Sequence, residues 1–153
     1  MTLFFPSLRA ICKRFSDGVS GVVMTEAILS LPILVLLAAG VLEFGSVLWQ
    51  REQIVTGLRD SIRYVARCRH ADATCDTVAR NIAYYGSSAT GTLRVPGWNA
   101  TDSPITITRA TLVAQDVVTA STTHTLLNSP LLGILGIGTI TVTLDHQQRD
   151  IGW

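Results

Sequence analysis

The stretch GVVMTEAILSLPILVLLAAGVLEFG, residues 21–45, decides how this 153-residue chain is organised. From Ala27 to Leu42 it holds sixteen consecutive residues without a charge, most of them Leu, Val, Ile and Ala. A helix needs about 20 mostly apolar residues to cross a bilayer, so the span must extend to about Val22 on one side and Trp49 on the other. The sequence therefore predicts a transmembrane helix over residues 22–49.

The charges before this span indicate its orientation. Arg9, Lys13 and Arg14 precede it, and Asp17 is the only acid on that side. Basic flanks remain preferentially in the cytoplasm. Residues 1–21 are therefore predicted to form a cytoplasmic leader, although basic residues also follow the span and reduce the charge asymmetry.

The acid at the inner end of the span, Glu26, lies five positions after Gly21. A basic leader, a Gly, an acid five residues later and a long apolar run form the prepilin cleavage pattern. Cutting after Gly21 would expose a new α-amino group on Val22. Because residues four apart share a helix face, Glu26 could pair with that ammonium group or with a neighbouring subunit's. Such pairing would offset the cost of removing both charges from water.

Two other interpretations of this segment stay open. The chain could keep an uncleaved signal anchor in which Gly21 is incidental. It could also carry a secretory signal peptide, for which Ala38, Ala39 and Gly40 would supply only a poor cleavage site. The second acid, Glu43, lies close enough to the outer boundary for its carboxylate to reach the interface.

Residues 18–48 resemble the signature of TadE-like proteins of the tight-adherence (Flp-type) pilus system. The matching residues are Gly21, Glu26, Pro32, Glu43, Phe44 and Gly45. The resemblance implies a pilin-like subunit, a minor pilin or pseudopilin, that acts in pilus assembly after cleavage by a prepilin peptidase. It also implies a bacterial inner-membrane location with the C-terminal domain in the periplasm. The implied partners are that peptidase and other pilus or secretion components, which include another pilin-like subunit.

After Trp49 the pattern becomes amphipathic, which predicts that the same helix leaves the bilayer and continues to about Cys68. Residues 50–85 are thus predicted to form a helical stem, with a second helix over residues 76–86. Cys12 lies on the reducing side, whereas Cys68 and Cys75 lie on the oxidising side and are expected to form a disulfide. A metal site made of Cys68, His70 and Cys75 is the alternative, but it would have only three ligands.

The remaining residues, 86–153, read as a small β-rich domain. Alternation of Ile, Val and Thr with polar residues predicts strands at 105–113, 116–124 and 139–146, and a short strand is expected at Thr92–Val95. Residues 126–138 are apolar but too short to span, so they form either a core connection or an exposed docking patch. The predicted fold class is α+β, with a small antiparallel sheet packed on the long helix.

Composition and motifs restrict the classes of function. A net charge of +1 gives no reason to expect nucleic-acid binding. The sequence contains no nucleophile motif, phosphate-binding Gly loop or metal-ligand cluster, so neither an enzyme nor a cofactor is predicted. His124 and His146 are expected at the surface, near strand ends. The leading hypothesis is a pilin-like assembly subunit, and the alternative is an unprocessed, membrane-anchored binding or adhesion domain.

Overall fold

A computed structural model of the chain describes residues 19–68, 73–112, 115–126, 133, 136 and 139–151. Its order is helix α1 (Val19–Val65), helix α2 (Ala73–Tyr85) and strands β1 (Ile105–Leu112), β2 (Gln115–Thr125) and β3 (Thr141–Arg149). The chain divides into two compact units, residues 1–42 and residues 43–153. The fold is therefore α+β, with a long N-terminal helix and a three-stranded antiparallel sheet, as predicted.

In the first unit, α1 is an exposed apolar helix. Its large apolar side chains from Val22 to Leu42 are each between 58% and 76% exposed. Its most apolar part has a mean hydropathy of 2.3, and by length and composition the helix could cross a membrane. Pro32 lies inside it, and its lack of an N–H removes the usual hydrogen bond to the carbonyl of Ile28.

In the second unit, one face of α1 supplies part of the core. Ile54, Leu58, Ile62 and Val65 recur at steps of three or four residues, and each is at most 1% exposed. That spacing places them on one stripe of the helix, as the amphipathic pattern predicted. Ser61 is buried beside them and satisfies its hydroxyl by donating to the carbonyl oxygen of Leu58 at 2.8 Å.

Trp98 occupies the centre of this core and is fully buried. Its ring packs edge-on against Tyr84, with ring centroids 5.0 Å apart, and its Nε1 donates to Thr122 Oγ1 at 3.4 Å. The ring also lies against Gly57 of α1. A Cβ at this glycine would come within 2.8 Å of the Trp98 ring and 2.7 Å of the carbonyl oxygen of Ala83, so the contact requires a residue without a side chain.

Tyr84 joins α2 to the start of the sheet. Its hydroxyl donates to the carbonyl oxygen of Ser103 at 2.8 Å and accepts from the backbone N–H of Ile105 at 3.0 Å. Burial raises the pKa of Tyr84 to about 12, although the hydrogen bond from Ile105 acts in the opposite direction. The phenol is therefore held in its neutral form.

Three further polar contacts tie the irregular connections and the sheet to the helices. Arg94 Nη2 bonds to Asp60 Oδ2 of α1 at 2.8 Å, and Arg109 Nη2 of β1 bonds to Asp76 Oδ1 of α2 at 3.0 Å. Arg80 Nε of α2 donates to the carbonyl oxygen of Ile105 at 3.3 Å. Asp60 and Asp76 thus each fix an arginine from a later segment of the chain.

Strand β2 lies in the middle of the sheet and pairs antiparallel with β1 and β3. Its register places Ala120 opposite Ile107 on one side and His146 on the other. The inward positions Val118, Ala120 and Thr122 are buried and face the helices. The opposite face carries threonine pairs, such as Thr123 with Thr143 at 3.2 Å between the hydroxyl oxygens. All three strands that were predicted from the alternation of apolar and polar residues are present.

The strand predicted at Thr92–Val95 is wrong. This segment is irregular: Val95 is buried, and the N–H of Arg94 donates to the carbonyl oxygen of Tyr84 at 2.8 Å. The segment packs on the core without a neighbouring strand. The alternation of apolar and polar residues in its sequence therefore reflects which side chains are buried, and not a β-strand.

The apolar stretch 126–138 lies almost wholly outside the described residues. Its first residue, Leu126, is buried, and its N–H donates to the carbonyl oxygen of Ile140 at 2.8 Å.

Candidate processing and assembly segment

The predicted cleavage site lies in the first turns of the described helix. Gly21 and Val22 are both exposed, and an ideal Cβ on Gly21 would meet no atom within 4 Å. Thr25 Oγ1 donates to the carbonyl oxygen of Val22 at 2.8 Å and to that of Gly21 at 3.3 Å. Both residues of the predicted cleavage site are therefore accessible in the described part of the helix.

Glu26 follows one helical turn later and is also exposed. Its carboxylate has no hydrogen bond or ion pair with any residue that the structure describes. Val22 lies four positions earlier, and residues at that spacing share a face of the helix. The helix therefore leaves this acid available for a cation that approaches from the side of Val22.

The other residues of the predicted signature lie further along α1, and the structure does not gather them into a site. Phe44 is 65% exposed and Glu43 is half-buried. A Cβ on Gly45 would meet nothing within 4 Å. Beside them, Ser46 Oγ donates to the carbonyl oxygen of Glu43 at 3.0 Å. Phe44 and Gly45 are thus open to solvent on this helix, and Glu43 is partly covered.

Cys68 and Cys75 form a disulfide with a Cα–Cα distance of 6.3 Å, which confirms the predicted pairing. The bridge joins the residues just after α1 to the first turn of α2 and closes a short loop. His70, the third ligand of the alternative metal site, lies outside the described residues. Because the disulfide occupies both sulfur atoms, neither cysteine is a free thiolate ligand in this structure.

Replacing both cysteines by serine is expected to lower the free energy of unfolding by about 2.5 kcal/mol. The estimate follows from the chain entropy that a loop of about eight residues loses on closure. Thermal unfolding of the double variant, compared with the oxidised chain, measures the effect. Reduction of the wild-type chain should lower its midpoint by a similar amount, whereas a midpoint unchanged by either treatment would contradict the prediction.

A buried Ser–His pair near the start of the sheet was not anticipated from the sequence. Ser103 Oγ lies 2.8 Å from Nδ1 of His124, and the two residues are 2% and 3% exposed. The expectation that His124 lies at the surface is therefore wrong, because it occupies an inward position of β2. A catalytic serine must be reachable by its substrate, and this one is enclosed, so the pair is structural.

Burial lowers the pKa of His124 below its ordinary value of 6.5, and the charge of Asp102 acts in the opposite direction. Its Nε2 is buried without a hydrogen-bond partner among the described residues. A lowered pKa in the folded state means that the unfolded state binds more protons. The stability that the neutral ring provides is therefore complete above pH 6.5 and is lost as the pH falls through the folded-state pKa.

We expect the free energy of unfolding to decrease between pH 7 and pH 5 in the wild-type chain. The variant His124→Gln should lose most of that pH dependence, because it removes the group that titrates. His146→Gln is the matched control, since it changes the other described histidine on the neighbouring strand. Denaturant unfolding at several pH values provides the measurement, and an identical pH slope in wild type and His124→Gln would exclude this role for His124.

Together, these features define a class of protein. An exposed apolar helix long enough to span a membrane leads into a small, disulfide-bonded α+β domain whose core the same helix supplies. This arrangement is compatible with a pilin-like protein whose N-terminal helix could span a membrane. The described residues contain no group of three or more His, Cys, Asp or Glu side chains placed to hold a metal ion.

Comparison with known proteins finds one family model that matches part of the chain. The family model for TadE-like protein matches residues 21–63, and over this segment the chain is TadE-like. The match begins at Gly21 and includes Glu26, Pro32 and Glu43, so it confirms the resemblance predicted from the sequence. No curated protein and no solved structure matches the chain. The family indicates a pilin-like structural component associated with a Tad pilus.

Proposed function

We propose that this chain is a minor pilin or pseudopilin that a prepilin peptidase cleaves after Gly21, and that the product takes part in assembly of a tight-adherence pilus. The observation that carries the proposal is the exposed Gly21–Glu26 pair at the start of an apolar helix. The TadE-like match over residues 21–63 supports the role in a Tad pilus.

Cleavage would change the chemistry of the helix terminus. The new ammonium group on Val22 would lie at the helix N-terminus, one turn from the Glu26 carboxylate. A charge inside a bilayer is costly, by roughly 2.5–3.5 kcal/mol at the centre on insertion scales. Pairing Glu26 with the ammonium of Val22, or with that of a neighbouring subunit, would reduce this cost. Assembly would then select chains that have been cleaved.

The proposal also assigns each part of the chain to a compartment. Residues 1–21 form a cytoplasmic leader, residues 22–49 cross the bacterial inner membrane, and residues 50–85 form a periplasmic stem. Residues 86–153 form the C-terminal domain in the periplasm. The disulfide supports this orientation, because disulfides persist in oxidising compartments such as the periplasm.

Substitution at Gly21 tests the processing step. A strain that lacks the gene should fail to assemble pili, and the wild-type chain should restore them. The Gly21→Leu variant should accumulate uncleaved in the membrane and fail to restore pili. Because a Cβ at Gly21 would meet no atom within 4 Å, the substitution leaves the fold of the described residues undisturbed.

Gly40→Ala is the matched control, since it places a side chain on the same helix where a Cβ would also meet nothing within 4 Å. It should be cleaved and should support pili. Piliation by an uncleaved Gly21→Leu chain would contradict the proposal and favour an unprocessed, membrane-anchored binding or adhesion domain.

A further inference from the structure

A row of three arginines begins on the exposed side of α1 in the second unit and ends in the turn that follows this helix. Arg59, Arg63 and Arg67 are spaced four residues apart, and all three are exposed. Within a helix this spacing places Cβ atoms about 5–6 Å apart, as it does for Arg59 and Arg63. The row therefore concentrates positive charge on the end of α1 and the turn after it.

The arginines of this row differ from most other arginines that the structure describes. Arg51, Arg94 and Arg109 each form an ion pair, and Arg80 donates to a backbone carbonyl. No member of the row has a hydrogen bond or ion pair to a described residue. Like charges four residues apart destabilise a helix, so Arg59 and Arg63 carry a local energetic cost that no ion pair in the described part of the chain offsets.

A groove adjoins this row. It has a volume of about 610 Å³ and is lined by Asp60, Arg63, Tyr64, Arg67, Cys68 and Ile82. Tyr64 is 38% exposed and stands between two of the arginines. Asp60 also lines the groove, but its carboxylate is engaged by Arg94 at 2.8 Å. The groove thus offers two unpaired guanidinium groups, an aromatic ring and an aliphatic wall, and Arg and Tyr are enriched at protein interfaces.

We propose that this groove binds an acidic helix of a different protein, in which carboxylates repeat every four residues. Such a row matches the spacing of the arginines and would form charge-assisted hydrogen bonds with the guanidinium groups. A second copy of this chain does not fit, because the described helices carry no two acids three or four residues apart. The inference does not rest on cleavage after Gly21, since the uncleaved chain carries the same groove.

The test uses the full chain in detergent micelles and two synthetic helical peptides of identical composition. In the row peptide, three glutamates occupy positions i, i+4 and i+8, and in the scattered peptide they are distributed around the helix. Binding is measured by fluorescence anisotropy at low ionic strength, because screening weakens exposed charge pairs. The row peptide should bind roughly 10-fold more tightly than the scattered one.

The double variant Arg63→Gln/Arg67→Gln should lose that preference. Arg149→Gln is the matched control, because Arg149 is an exposed arginine of β3 without a described ion pair. It should bind the row peptide like the wild type. Equal affinity for the two peptides, or undiminished binding by the double variant, would overturn the proposal. Binding of the wild-type chain to phosphatidylglycerol vesicles, lost in the double variant while neither peptide binds, would overturn it in favour of a lipid surface.

Thermal unfolding provides a second readout. The double variant should unfold at the same temperature as the wild type or slightly higher, because it removes like-charge repulsion at the end of α1. A large decrease in the midpoint would show that the arginines stabilise the fold, and would overturn the claim that they are available to a partner.

Discussion

Replacing Trp98 by alanine is expected to lower the free energy of unfolding by about 3–5 kcal/mol, the range for removing a large buried aromatic side chain. Trp98 is fully buried, contacts Tyr84 edge-on and fills the space above Gly57. Its removal would leave a cavity, and Thr122 Oγ1 would keep only its 3.3 Å contacts to the carbonyl oxygens of Ser103 and Pro104. Small domains have a total stability of only about 5–15 kcal/mol, so the variant should lose a large part of its thermal stability.

The control for this prediction is Trp49→Ala. Trp49 belongs to the same helix that contributes the core, but its side chain is 53% exposed. Exposed substitutions usually change stability by less than about 0.5 kcal/mol. Circular dichroism melting of both variants in detergent compares a buried with an exposed tryptophan. Equal midpoints for the two variants would show that Trp98 is not the centre of the core.

The variant Glu26→Ala is expected to abolish pilus assembly while leaving the protein in the membrane. Removing the carboxylate makes the segment more apolar, so insertion should persist. What is lost is the partner for the α-amino group of Val22, which would then remain an unpaired charge in an apolar environment. Membrane fractionation measures insertion, and electron microscopy of complemented cells measures piliation.

Glu52→Ala is the corresponding control. Glu52 is an acid on the same helix whose side chain is 66% exposed, and its contact is a 3.5 Å ion pair with Arg51. Exposed pairs of this kind contribute little to stability, and Glu52 lies far along the chain from Val22. This variant should support piliation. Normal piliation by Glu26→Ala would leave that carboxylate without a role in assembly.

The parts of the fold that repeat a simple period were predictable from the sequence. The apolar run and the stripe from Ile54 to Val65 predicted one long helix, and α1 extends from Val19 to Val65. Alternating Ile, Val and Thr predicted the three strands, because an antiparallel sheet with one face on a core imposes a period of two. The disulfide was predictable because the two cysteines lie close in sequence beyond the span.

The irregular part of the core was not predictable in this way. Thr92–Val95 alternates like a strand, but it packs on the helices without a strand beside it. Trp98 lies in a loop rich in Gly and Pro, where no period indicates burial. Gly57 weakens the helix by propensity, and only the packed structure shows that Ala83 and Trp98 require its missing side chain. His124 lies near a strand end in the sequence, yet it occupies an inward position of β2 and is buried against Ser103.

The candidate site was likewise predictable from the sequence only in part. The spacing of Gly21 and Glu26 is a local property of the chain, and it was evident before the fold was known. The arginine row is also local, but its significance depends on which arginines find partners in three dimensions. Ion pairs such as Arg94 with Asp60 and Arg109 with Asp76 join residues more than thirty positions apart, and the sequence alone does not predict them.

The most direct test of cleavage after Gly21 is the intact mass of the chain purified from the membranes of its own host, supported by N-terminal sequencing. We predict a chain that begins at Val22 and lacks residues 1–21. In a strain without the prepilin peptidase, the same chain should begin at Met1. A chain that begins at Met1 in the wild-type host would contradict the account, because Glu26 would then have no terminal amine within one helical turn.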